Sequence, residues 1–469
     1  MAPRAACALL FAACLHLTGC ESLRSYENEL GETSRQLGAG NVEGALTLLE
    51  QNNSAPEKDL LYYFEKGELL RAKGDLAGSQ DAWRAADRVV FQWEESVKAD
   101  PDKYLGEIGS FLINDKVRRY EGYDYEKVML TAQMALNSLA LKDFETARAD
   151  IKKTHEREAL IARLRDRQYL QEEEEAEEQG ITTEYQDLQG YPVESLNAPE
   201  VLGLKNSYQS AFSHYLAGFV YEALGEKGLA APGYRKASEL RPKTPLLEKA
   251  LLNLDKPGGK TTETDVLLVV QTGLAPARNS LSIPLPIPTD SGLIIAPLSF
   301  PLIEADTSTP PVSRLDLNGK NIALTELSSI DAMSRRALRD DMPGIILRTT
   351  LRAVTRGVAQ HELNETDPWA GLALGIVSAI TEGADERTWR TLPDTIQIAR
   401  VRLKKGQQRL SVQTAYGETE FDVMIAGKHQ VVPLRVIGTQ VFASGDATRL
   451  IAPAVTAPTG IQATVSKTP

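Results

Sequence analysis

A short phrase recurs in the first half of the chain: a turn glycine followed by Asn or Asp, set between two helix-forming runs. It stands at Gly40-Asn41 in "LGAGNVEGALTLLEQ" (37–51) and at Gly74-Asp75 in "LRAKGDLAGSQDAWRAA" (70–86), with the two glycines 34 residues apart. A period of that length holds two helices and a turn. One such unit cannot bury its apolar face alone, so copies must stack. The chain up to about residue 254 is therefore expected to be built from antiparallel helix pairs rather than from sheet.

The clearest copy is "HYLAGFVYEALGEKGLAAPGYRKASELRP" (214–242). At Gly218, Tyr221, Gly225, Ala230, Tyr234, Ala237 and Pro242 it resembles the tetratricopeptide consensus, with His214 where that family usually has Trp. In the second copy Gly67, Gly74, Trp83 and Ala86 match, while Ser79 replaces the usual small alanine. A third copy, "MLTAQMALNSLALKDFETARADIKK" (129–153), matches at Ala135, Phe144 and Ala147. Small residues at these positions let two helices approach closely, and the aromatics fill the wedge between neighbouring pairs. The resemblance implies a concave groove lined by the first helix of each pair and used for protein partners. Carried over position by position, that groove is Phe64, Glu68 and Arg71 in the second copy and Phe212, Tyr215, Phe219 and Glu222 in the fourth. Packing of these side chains against an inserted helix is the alternative. Arg71, the fixed cation of the set, is the residue suited to a partner's carboxylate.

The array is interrupted between its third and fourth copies. "IKKTHEREALIARLRDRQYLQEEEEAEEQG" (151–180) has helix formers throughout and reads as an overlong repeat helix projecting into solvent, its Glu172–Glu175 run a solvated end. A helical insertion near 151–206 is expected, closing in the polar loop "YPVESLNAPE" (191–200). The aromatic stretch near 100–125 is expected to pack as helix and turn.

Composition shifts at "LDKPGGKTTETD" (254–265), which reads as a linker. Its "GGKT" is not a phosphate-binding loop, because Leu254 stands where that motif needs a glycine. Beyond it, "DVLLVVQTG" (265–273) has strand character. "LSIPLPIPTDSGLIIAPLSFPLIEA" (281–305) is too proline-rich for a central strand and suits edge segments or an extended arm. Residues 321–363 pass from a short strand into helices, and "WAGLALGIVSAITEGADERTW" (369–389) is a further helix with an apolar segment, Ala370–Ile380, in which Gly371 and Gly375 are spaced for close contact. That helix reads as core, with insertion into a membrane or an assembly as the alternative. Two hairpins are expected, 395–414 about Lys405-Gly406 and 420–438 about Gly427-Lys428. The fold class is thus α then α+β: a tetratricopeptide-like helical solenoid over 20–254, a mixed domain with β-hairpins and helices over 261–450, and a disordered tail over 451–469.

At the N-terminus, Arg4 precedes an apolar run of roughly a dozen residues, the length of a signal h-region and too short to span a bilayer. Leu17-Thr18-Gly19-Cys20 resembles the lipobox of bacterial lipoproteins. The resemblance implies a signal peptide over 1–19, a diacylglycerol on the Cys20 thiol, and a mature chain that begins there. Several acyl chains give stable anchoring. Glu21 follows the cysteine, and the aspartate that would imply inner-membrane retention is absent. The expected location is therefore the outer membrane, lipid-anchored and facing the periplasm. The remaining cysteines, Cys7 and Cys14, lie within the signal, which leaves no thiol for a disulfide or a metal. "ADERTWRTLP" (384–393) and "IQIARVRLKKGQQRL" (396–410) resemble an uncharacterised family of proteobacterial lipoproteins that pair helical repeats with a C-terminal domain of this kind. That resemblance brings no activity with it.

A net charge of −12 argues against nucleic acid and against electrostatic attachment to an anionic membrane surface. His155, His214, His361 and His429 are scattered without metal-ligand spacing, and no GxSxG elbow is present. Asp340-Asp341 and "DLNG" (316–319) read as helix flank and strand turn. The expectation is no enzyme, no cofactor and no metal, but a lipid-anchored periplasmic scaffold or assembly factor. Its partners would be proteins of the cell envelope, and self-association stays open. A regulator of cell-wall synthesis, touching peptidoglycan or a synthase, is the alternative.

Overall fold

The structure is a computed structural model that describes residues 26–109, 119–256, 260–289, 292–366 and 383–450. The signal peptide, Cys20, the Ala370–Ile380 segment and the 451–469 tail lie outside the described residues, and the expected helix over 369–389 is corrected in its described part, since 383–389 is not helical.

The N-terminal region is helical. Four antiparallel pairs follow one another: α1 (Tyr26–Gly38) with α2 (Val42–Asn52), α3 (Leu60–Lys73) with α4 (Leu76–Ala99), α6 (Asp124–Ala140) with α7 (Phe144–Gln179), and α8 (Ala211–Ala223) with α9 (Lys227–Leu240). The short α5 (Pro101–Gly109) lies between the second and third pairs, and α10 (Pro245–Asn253) packs against the last. The Gly-Asx phrase explains the turns. Gly40 and Gly74 take left-handed backbone at φ 85° and 90°, which closes one helix. Asn41 and Asp75 then accept the amides of Gly44 and Gly78, capping the next helix. The third pair turns on Lys142 at φ 64°, with Asp143 accepting the Thr146 amide, so glycine is replaced but the cap is kept.

Within pairs, glycine makes room for an aromatic ring. A Cβ on Gly67 would fall inside the Trp83 indole, and one on Gly218 would lie 2.5 Å from the Tyr234 ring. Trp83 and Tyr234 are fully buried as a result.

α7 runs 36 residues and does not project freely into solvent as its charge pattern suggested. Its outer half lies along α11 (Ile330–Thr366), where Arg165 meets Asp341 at 3.1 Å and Arg348 meets Glu172 at 2.7 Å. Opposite charges across two helices bury a face that sequence alone reads as solvated. Glu173–Glu175 are exposed.

The second half forms two five-stranded sheets and an arm. The first sheet has the order β11 (Gln440–Ala443), β10 (His429–Ile437), β1 (Glu263–Thr272), β7 (Thr395–Lys404), β6 (Thr325–Ser329). The second has the order β12 (Ala447–Arg449), β9 (Gly417–Ile425), β8 (Gly406–Thr414), β4 (Arg314–Leu317), β5 (Lys320–Ile322). Both expected hairpins are corrected here. β7 and β8 are consecutive but belong to different sheets, and so do β9 and β10. The hairpin is β8–β9, closed at Ala415-Tyr416 between Thr414 and Gly417. Strand alternation shows that each run is a strand, but it is the same for either partner. β10 instead lies parallel to β1, and β7 antiparallel to it.

The sheets sandwich a core of Val266, Leu268, Val270, Val432, Leu434 and Val436 against Leu315, Leu410, Val412, Phe421 and Val423. The other face of the first sheet, through Leu267, Val269, Ile396, Ile398 and Val431, joins the core of the helical pairs. A strand buried on both faces must be apolar at consecutive positions, which is why β1 reads as an unbroken run.

Among the described residues, β2 (Ala277–Thr289) and β3 (Gly292–Glu304) pair only with each other, forming an arm. Pro284 lies opposite Pro297 and Ser280 opposite Pro301, and Pro286 and Pro288 fall in the same alternate register class. A ladder that survives five prolines must set them where the amide would point outward, so both outer edges lose donors and resist strand addition. The arm's base packs Ile283, Leu298 and Phe300 on α11 and on Tyr185, Tyr191 and Leu196 of the 181–210 connection.

Gly218→Ala is expected to destabilise the chain by about 1–3 kcal/mol, because the Tyr234 ring has nowhere to move. Urea unfolding checks this. An unchanged midpoint would contradict the packing.

Candidate functional site

The concave face formed by α3, α6 and α8 is not open. The first sheet and the segment 384–394 fill it, so the groove residues meet their own chain. Phe64, Glu68 and Arg71 of α3 are buried, as are Phe212, Tyr215 and Phe219 of α8. The sheet covers these side chains while the long helix α7 also packs on α8, so the reading of them as a groove free for a separate partner is corrected.

The contact begins with Trp389. Its indole stacks on Phe64 with ring centres 4.4 Å apart and meets Trp83 edge-on at 6.0 Å. Two fully buried glutamates hold the backbone on either side of it. Glu126 of α6 accepts the Trp389 amide at 2.7 Å and the Thr388 hydroxyl at 3.0 Å. Glu65 of α3 accepts the amides of Arg390 at 2.7 Å and Thr391 at 3.3 Å. Burial pushes the Glu65 carboxyl up to about 7, against the opposing pull of these donors, and raises Glu126 as well.

Next along the seam, Arg71 pairs with Glu68 at 2.7 Å and donates to Gln133 at 2.6 Å and Gln271 at 2.8 Å. Arg435 of β10 donates to the same Glu68 at 2.7 Å and to the Thr391 carbonyl at 2.9 Å. Burial pushes Arg435 down to about 10. At the far end Arg400 of β7 binds Glu222 at 2.9 Å and Asp265 at 2.6 Å, donates to Tyr234 at 3.0 Å, and lies over the Phe219 ring. Thus Arg71 and Glu222, expected to meet a partner, are satisfied within the molecule.

Sequence reasoning missed Glu65, Glu126, Gln133, Gln271 and Arg435. The signal was present in two of them: Gln271 ends the apolar run of β1, and Arg435 interrupts "VVPLRVIG" (431–438). A polar residue inside a doubly buried strand needs a partner across the layer. The other expected features sit apart from the seam. His155 stacks on His214, and Asp340 pairs with Arg336 within α11. Among the described residues, no group of three or more His, Cys, Asp or Glu is placed to hold a metal ion, and no helix is long and apolar enough to cross a membrane.

Beside the seam lies a polar cavity of about 150 Å³, walled by α4, α6, α7, α11, the base of the arm and Asp385–Arg387. A shallower cleft of about 640 Å³ runs between α10 and the sheet edge near Arg400.

No protein-family model matches the chain, and no curated protein matches it. Among solved structures it is similar to a tetratricopeptide repeat protein from Parabacteroides merdae ATCC 43184. That match has 14% identity and a TM-score of 0.14, and covers 49% of this chain and 98% of the other.

Two outcomes test the seam. Glu65 has a folded-state pKa above its unfolded value of 4.5, so the folded chain holds the extra proton. Its contribution is full at low pH and is lost as pH rises from about 4.5 to 7. Glu65→Gln is expected to flatten that decline, as read from urea midpoints at pH 5 and 7.5. Trp389→Ala is expected to cost about 3–5 kcal/mol, read by the same unfolding assay.

Proposed function

We propose that this chain is a scaffold or assembly factor of the cell envelope. In this reading it is acylated at Cys20, held at the outer membrane facing the periplasm, and built on a tetratricopeptide-type repeat array that engages protein partners. The observation that carries the reading is the repeated glycine-under-aromatic packing, Gly67 beneath Trp83 and Gly218 beneath Tyr234, on helix pairs that turn at Gly-Asx caps. Arrays of such pairs present extended surfaces to other proteins. Because the concave face is occupied by the chain's own segment 384–394, partners are met on the remaining faces. The buried seam makes helices and sheets one stiff body suited to holding partners at fixed separation. Lipid at Cys20 supplies the address: a single acyl chain binds membranes only marginally, whereas several together hold the protein in place.

Cys20→Ala is expected to move the protein from the membrane to the soluble fraction and to abolish the acyl mass increment in intact mass spectrometry. A variant that stays membrane-bound would overturn lipid anchoring. Pulldown from detergent-solubilised membranes with Cys20 intact is expected to recover subunits of an envelope assembly. Recovery of cell-wall synthases or peptidoglycan would instead favour a regulator of wall synthesis.

A further inference from the structure

The polar cavity beside the seam contains an imbalance. Its carboxylates are already engaged: Asp124 and Asp341 both meet Arg165, at 2.5 and 3.1 Å, Asp385 meets Arg387 at 2.8 Å, and Glu121 accepts the Tyr104 hydroxyl at 2.6 Å. Arg278, at the base of the arm, is different. It is only 6% exposed and lines the cavity. Its Nε donates to the Asp385 carbonyl at 3.0 Å, and its guanidinium lies over the Tyr123 ring at 4.6 Å. Among the described residues, its two terminal amino groups have neither a hydrogen-bond acceptor nor a carboxylate within ion-pair distance.

Asp385 and Asp341 stand near enough to favour the charged form of Arg278, but neither reaches ion-pair distance, and the cost of a buried cation is fully offset only where charge and hydrogen bonds are both met. The Tyr123 face offsets part of this, through the attraction of a cation to a ring quadrupole. The planar fork of free N–H groups remains, and it matches the geometry of an oxyanion. Lys127 lies on the same wall, paired with Asp124 at 3.4 Å and with its ammonium 3.8 Å above the Trp93 ring. The cavity has room for a small group with an aromatic floor.

We propose that this cavity is a binding site for a small oxyanion, the carboxylate or phosphate group of a low-molecular-weight ligand, with Arg278 as its principal contact. The ligand enters between α6, the arm base and the 385–387 turn. Its charge gives the arm's Arg278 the ion pair it lacks among the described residues. The site is independent of the partner-binding reading above, and it stands or falls on Arg278 alone.

The test uses the full-length chain in detergent, titrated separately with inorganic phosphate and with acetate at ionic strength matched by sodium chloride. Trp93 fluorescence, taken as the difference between the wild type and a Trp93→Phe variant, reports occupancy, because its indole lies under Lys127 at the cavity wall. A saturable change with either anion is expected, and the arm that produces it identifies the phosphate or the carboxylate chemistry. Arg278→Gln is expected to weaken binding by at least about tenfold, the loss that goes with one charged hydrogen-bonding partner. If circular dichroism shows that the glutamine variant does not fold, Arg278→Lys serves. It keeps the charge but loses the fork, and weaker binding is again expected. No saturable change with either anion, or unchanged affinity in the folded variant, would overturn the site.

Discussion

The structure depends on keeping charged and amide side chains dry and paired in the seam between the helices and the first sheet. Glu68 sits between Arg71 and Arg435, one from each side of the seam. Gln133 and Gln271 each accept from Arg71, and Gln271 donates to Gln133. Burying such groups is unfavourable unless every partner is in place, and removing one leaves an uncompensated charge. The network therefore specifies how the two halves meet more than it adds to stability. A shifted or rotated docking of the sheet would strand several charges at once.

Trp389 and the two glutamates beside it perform a related task with backbone groups. An extended segment laid across helices has amides that water can no longer reach. Glu65 and Glu126 supply the acceptors for three of them, while the indole fills the space between Phe64 and Trp83. The consequence is rigidity: the concave face is spent on internal cohesion, and the surfaces left for other molecules are the outer faces, the arm and the polar cavity.

The arm and the long helix α7 show the same economy. Prolines placed at outward-facing register positions let β2 and β3 pair while denying a ladder to a third strand. Charges that look like a solvated helix face in α7 are met by Arg348 and Asp341 of α11, nearly two hundred residues away in sequence.

Much of this was legible locally. Turn glycines with Asx caps, glycine facing an aromatic within a helix pair, the unbroken apolar run of β1 and the proline-laden arm all follow from the chemistry of a few consecutive residues. Those features determined the helix pairs, the positions of the strands and the class of the molecule. The pairing of strands was not legible, because alternation at 395–414 and 420–438 suits a neighbour in either sheet. Nor was the occupant of the concave face. Phe64, Glu68 and Arg71 have the composition of a groove whether it is filled by a partner or by the chain itself. That choice was made by contacts such as Glu65 with Arg390 and Arg435 with Glu68, which join residues more than three hundred positions apart. Sequence by itself determined the local elements, since their stabilising interactions lie within a turn or two of the chain. Tertiary structure alone decided which surfaces are sealed, since burial and charge pairing depend on what arrives from the far end.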